Sequence, residues 1–96
     1  MHVISRKPLR AFWTVHPAAE RPLLQWYRTA TKVTWRSVAE VRATYASADQ
    51  VGRFTVFNIG GNKYRLVVAA DYQRQVLFIR FIGTHSQYDA IDAEVV

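Results

Sequence analysis

Arg65, His85 and Tyr88 are of types that could act together on a phosphodiester. Arg65 follows the turn Gly60-Gly61-Asn62-Lys63, and about twenty residues on comes the run Thr84-His85-Ser86-Gln87-Tyr88-Asp89. A guanidinium binds phosphate oxygens through paired hydrogen bonds. An imidazole, with an ordinary pKa of about 6.5, transfers protons near neutrality. A phenol three residues further on, one helical turn away, can donate to a phosphate oxygen or stack on a base. These groups are what a small metal-free ribonuclease needs. Each also has an ordinary alternative. Arg65 and Arg80 can be solvent-facing sheet residues, His85 a surface or capping residue, Tyr88 a packed aromatic, and Lys63 an idle lysine at a hairpin tip. Asp89 could orient His85, but the sequence favours it as a cap of the last helix.

The elements that must position these residues follow from periodicity. Val3-Ile4 marks a short first strand. Ser5 is a candidate cap for a helix from Arg6 to Val15, with Leu9, Phe12 and Trp13 on one face and Pro8 in the first turn. A second helix is predicted from Ala19 to Ala30, with an apolar stripe of Leu23, Leu24, Trp26 and Tyr27. Ser37-Val38-Ala39-Glu40 has the form of a capping box and starts a third helix over Val38 to Tyr45. Ala46 to Gly52 reads as a loop.

The period then becomes strand-like. Phe54 to Ile59, Tyr64 to Ala70 and Val76 to Ile82 are predicted strands, the first two joined by a tight turn whose Gly60, Gly61 and Asn62 accept positive φ. Alternation puts Arg65, Val67 and Ala69 on one face, and Tyr64, Leu66, Val68 and Ala70 toward the helices. If Leu77, Ile79 and Phe81 also face the helices, Arg80 joins Arg65 on a solvated face, where the two could clamp one phosphate. Thr84 or Ser86 is predicted to cap a short last helix through Ala90. The fold class is α+β, a small sheet with helices covering one face.

Composition narrows the function. Half of the 96 residues are apolar and 14% are aromatic, which suits one folded domain over 1–96. The absence of cysteine rules out disulfides and thiolate metal sites, and it fits a cytoplasmic protein. His2 and His16 lack supporting neighbours, and no two of the three histidines have ligand spacing. The acids are too few for a two-metal nuclease, and there is no Gly-rich phosphate loop or nucleophile elbow. No metal or cofactor is expected. No apolar run is long enough to span a bilayer, and the N-terminal charges have no signal-peptide core behind them. The formal charge is +6, with nine of the thirteen Lys and Arg in residues 1–53, which suits a polyanionic partner.

Two segments carry a family resemblance. Val56-Phe57-Asn58-Ile59-Gly60-Gly61-Asn62 runs into Tyr64-Arg65-Leu66, and Ile79-Arg80 is followed by Thr84-His85 and Tyr88-Asp89. With Trp35, Ser37 and Tyr45-Ala46-Ser47-Ala48-Asp49 upstream, they resemble the HigB group of RelE-like toxins over nearly the whole chain. The resemblance implies a small antiparallel sheet with helices on one side and a basic cleft on the other. It implies an endoribonuclease (an mRNA interferase) that cuts mRNA, commonly at the ribosome. Its partner would be an antitoxin, often a helix-turn-helix DNA-binding protein. On this likeness Arg65 holds the scissile phosphate, His85 is the basic catalytic group and Tyr88 completes the site. Lys63, Arg80 and Asn62 would contact RNA. The uncharged Phe54-Thr55-Val56-Phe57 departs from the RelE pattern of lysines on this strand, which leaves the general base to His85 or Lys63. The alternative reading is a non-catalytic RNA- or ribosome-binding module.

Overall fold

A computed structural model describes residues 1–92; residues 93–96, the end of the expected 1–96 domain, lie outside the described residues. The chain forms strand β1 (His2–Ile4), helix α1 (Lys7–Val15), a 3-10 turn (Pro17–Ala19), helix α2 (Glu20–Lys32) and helix α3 (Val38–Thr44). Strands β2 (Asp49–Val51), β3 (Phe54–Ile59), β4 (Tyr64–Asp71) and β5 (Val76–Thr84) and helix α4 (His85–Asp89) follow. The sheet order is β1-β5-β4-β3-β2. β1 pairs with β5 in parallel, and all other neighbours are antiparallel. The architecture is the expected α+β, but the sheet is mixed, because the first strand runs beside the last in the same direction.

The helix ends show which local signals operate. Ser37 caps α3, its Oγ accepting from the Glu40 backbone amide at 3.3 Å. Glu40 reaches back one residue further than a capping box requires: its Oε1 accepts from the Arg36 amide at 3.1 Å. α1 has Arg6 rather than Ser5 at its N-cap and no side-chain cap bond. The Arg6 guanidinium instead lies 5.8 Å from the Trp13 ring and 5.6 Å from that of Tyr27, joining α1 to α2. The short β2 falls within Ala46 to Gly52, whose polar or small residues read as loop; Asp49 and Gln50 are exposed, as edge strands often are. Gln50 Oε1 accepts from the hydroxyl of buried Thr55 on β3 at 3.1 Å, which satisfies that group.

The main core lies between the helices and one sheet face. Phe57 sits at its centre, with ring centroids 5.3 Å from Trp26, 6.0 Å from Trp35 and 5.6 Å from Tyr45. Leu9, Leu23, Leu66, Val68 and Leu77 belong to the same buried layer. Gln75 ties the β4–β5 turn to the loop before α3, its side-chain amide donating to the Trp35 carbonyl at 2.7 Å.

Two corrections concern the other face. A β-bulge interrupts the β4–β5 ladder: Val67 pairs with Phe81 but Val68 pairs with Ile79, so Arg80 is the extra residue. Alternation therefore slips by one past Arg80. Ile82 turns into the main core, while Phe81, expected there, packs on the opposite face. That face is also not uniformly solvated. Phe54, Val56 and Val67 form a second buried cluster there, with Val51, Ala69, Phe81 and Tyr88 packed against it.

Candidate active site

Sheet register joins the two distant segments. Across β3–β4, Arg65 pairs with Asn58; across β4–β5, it pairs with Gly83, and Tyr64 pairs with Thr84. The His85 amide donates to the Lys63 carbonyl at 3.0 Å, so the hairpin tip and the start of α4 are directly bonded. The tip turns through Gly60 and Gly61, with φ of +63° and +69°, values that favour glycine. Asn62 does not share this conformation; it engages the arginine instead.

Arg65 is half-buried and folded back along the tip. Nη1 donates to the carbonyls of Asn62 (3.2 Å) and Tyr64 (3.4 Å), and Nη2 donates to Asn62 Oδ1 (3.3 Å). These bonds engage three of the guanidinium's five N–H donors and hold its orientation with neutral acceptors. Among the described residues no carboxylate pairs with this charge. An anion arriving at this end of the sheet would meet a charge that is already oriented.

His85 starts α4 because Thr84 makes a full capping box: Thr84 Oγ1 accepts from the Gln87 amide (3.2 Å), and Gln87 Oε1 accepts from the Thr84 amide (2.9 Å). Asp89 is not the helix cap expected of it. Ala90 holds that position, and a carboxylate in the last turn opposes the helix dipole. Asp89 Oδ2 instead lies 2.9 Å from His85 Nδ1, with both side chains half-exposed or more. Such a pair adds little stability, about 0–1 kcal/mol. Its chemical effect is orientation: an Nδ1–H donated to the carboxylate leaves Nε2 as the outward nitrogen.

Tyr88 packs against the open-face cluster, not the main core. Its ring is part of a floor beside the Arg65–His85 end. Lys63 is exposed, and its backbone carbonyl supplies the contact to α4. Arg80 lies elsewhere. Its guanidinium is 5.9 Å from the centroid of Phe54, and the bulge sets it opposite the gap between Val67 and Val68. Arg65 points toward the hairpin tip, so the structure does not bring the two arginines into one clamp.

Gly83 went unnoticed in the sequence. A Cβ there would come within 2.5 Å of Phe81 Cζ and 2.9 Å of Gln87 Oε1. Its bare backbone thus admits the Phe81 ring beside Arg65 and leaves room for the cap of α4. The available signal was an isolated glycine inside a strand pattern, which often marks a close approach. Among the described residues, no three His, Asp or Glu side chains are grouped to hold a metal ion, and no helix is long and apolar enough to cross a membrane.

Residues 19–91 match the family model HigB_toxin, described as the RelE-like toxic component of a toxin-antitoxin system. The mRNA interferase toxin HigB of Escherichia coli K12 is 29% identical over 96 residues, covering 97% of this chain and 92% of the relative. The mRNA interferase HigB of Shigella flexneri is also 29% identical over 96 residues, with the same 97% and 92% coverage. The mRNA interferase HigB of Escherichia coli O6:H1 is 23% identical over 94 residues, covering 95% and 91%. The matched region includes the hairpin tip, Arg65, the bulge and α4, so the resemblance extends over the elements that build the site. The chain belongs to the HigB family of RelE-like toxin components of toxin–antitoxin systems.

Proposed function

We propose that this protein is an endoribonuclease that cuts mRNA, with its site at the Arg65–His85 end of the open sheet face. The observation that carries the reading is the bonded junction of hairpin and α4, which sets an oriented guanidinium and a carboxylate-paired imidazole at one sheet end. The similar proteins of Escherichia coli are named mRNA interferases, which agrees with it.

The substrate supplies its own nucleophile. The ribose 2′-oxygen bonds to the adjacent phosphorus as the bond from phosphorus to the 5′-oxygen breaks. His85 takes the 2′-hydroxyl proton or gives one to the leaving 5′-oxygen, and solvent water completes the other transfer, leaving a 2′,3′-cyclic phosphate and a 5′-hydroxyl. Arg65 stabilises the extra negative charge on the phosphorane, the kind of preorganised interaction that usually contributes most to catalysis. His85, through Nε2, is the proton-transfer group, and Asp89 holds its ring. Tyr88 positions the phosphate or a neighbouring base, while Lys63 and Asn62 meet the RNA backbone. The ribosome supplies substrate geometry that the free enzyme lacks. The protein acts in the cytoplasm, and its antitoxin is a helix-turn-helix DNA-binding protein.

Primer extension on a translated transcript tests the reading. Wild-type protein should create new RNA ends carrying 5′-hydroxyls, and Arg65→Ala and His85→Ala should create none while melting normally. Wild-type cleavage by both variants would overturn the assignment. Tight RNA binding without new ends would instead identify a non-catalytic binding module.

A further inference from the structure

The opposite end of the open face has its own concave site. Arg53, Phe54, Ala69, Phe78 and Arg80 line a pocket of about 350 Å³, near the lower end of the range for small-ligand sites, about 300–1,000 Å³. Phe78 is 40% exposed, while every other Phe, Trp and Tyr among the described residues is buried or partly buried, and its ring stacks on no other ring among those residues. Beside it across the β1–β5 ladder is Ile4, 42% exposed. The Arg53 and Arg80 guanidiniums lie 5.4 and 5.9 Å from the Phe54 ring centroid. An aromatic face with arginines at its border combines what single-strand binders use: a surface on which a base can stack and cations for its phosphates.

We infer that this pocket takes one unpaired base of an RNA strand, a nucleotide flanking the one cut at the Arg65–His85 end. The inference rests on the ribonuclease reading and adds a second contact to it. Arg65 and Ala69 are four residues apart on β4, a separation of roughly 13 Å that a short single strand can cover. The Val56–Val67 floor, flanked by Phe81 and Tyr88, lies between the two ends. The base stacks on Phe78, and Arg53 and Arg80 contact the flanking phosphates. The bulge has a purpose here, since it takes Arg80 out of the regular ladder and holds it over Phe54. An acidic peptide could use the two arginines, but the unstacked Phe78 ring in the same pocket favours a flat π surface.

The test uses short oligoribonucleotides with a 2′-deoxy sugar at the cleavage position, which blocks attack, and one abasic nucleotide moved stepwise along the strand. On wild-type protein, one flanking abasic position should weaken binding roughly tenfold or more. Phe78→Ala should weaken the intact strand by a similar factor and make that abasic position silent, whereas Phe78→Tyr should restore both. Arg53→Gln should reduce the salt slope of binding by about 0.7 per lost phosphate contact. Unchanged binding by Phe78→Ala, with wild-type RNA cleavage intact, would overturn the pocket and leave the ribonuclease reading standing. Loss of antitoxin affinity alone in Phe78→Ala would also overturn it, by assigning the patch to a protein partner. Absence of both RNA binding and cleavage in wild-type protein would overturn the two readings together.

Discussion

The two faces of the sheet share a backbone but differ in how they are closed. On the helical face, Trp26, Trp35 and Tyr45 surround Phe57, and the helices exclude water from a continuous layer. On the other face, among the described residues, a small cluster of Phe54, Val56 and Val67 is buried, with Val51, Ala69, Phe81 and Tyr88 packed against it. The first arrangement suits stability. The second leaves charged and aromatic groups at both ends accessible over an apolar floor. Because a strand sends alternate residues to opposite faces, β4 contributes Leu66 and Val68 to the core and Arg65 to the candidate site.

This division can be broken at either face. Phe57→Ala should have the largest effect, lowering stability by about 3–5 kcal/mol in denaturant unfolding, since three aromatic neighbours would face the void. Arg65→Ala should leave that unfolding curve nearly unchanged while lowering RNA cleavage by about 10²–10³-fold, as expected for loss of a preorganised donor. Arg65→Lys should recover little, because an ammonium cannot reproduce the paired geometry. A large stability loss in Arg65→Ala would show that the faces are not separable in this way.

Gly83→Ala examines the seam between them. The added methyl must displace the Phe81 ring or the Gln87 amide, so a destabilisation of roughly 1–3 kcal/mol and a loosened α4 are expected. Helical amide exchange near His85 would report that change. Asp89→Asn should have the smallest effect: a reduction in cleavage of about tenfold or less, with stability changed by under about 1 kcal/mol. An unchanged rate would remove Asp89 from the site and leave its 2.9 Å contact with His85 as a surface pair.

Much of the fold was legible locally. The bounds of β3, the Ser37 cap and a last-helix cap at Thr84 or Ser86 follow from short patterns, because alternation and capping involve residues within one turn or a few positions; the structure selects Thr84. The candidate residues Arg65, His85 and Tyr88 were also legible by type and spacing. What was missed depended on partners far along the chain. Asp49–Gln50 looks like loop until β3 lies beside it, and Asp89 looks like a cap until the length of α4 leaves it facing His85.

By itself, the sequence determined most of the elements, the glycine turn, the Ser37 start of α3 and which residue types were available for chemistry. Only the tertiary structure decided that β1 runs parallel beside β5, that a bulge at Arg80 sends Phe81 to the open face, and that the hairpin tip bonds to the start of α4 while Arg80 lies over Phe54. The reason is that element formation reads neighbouring residues, whereas register and facing are set by packing between strands that no local pattern specifies.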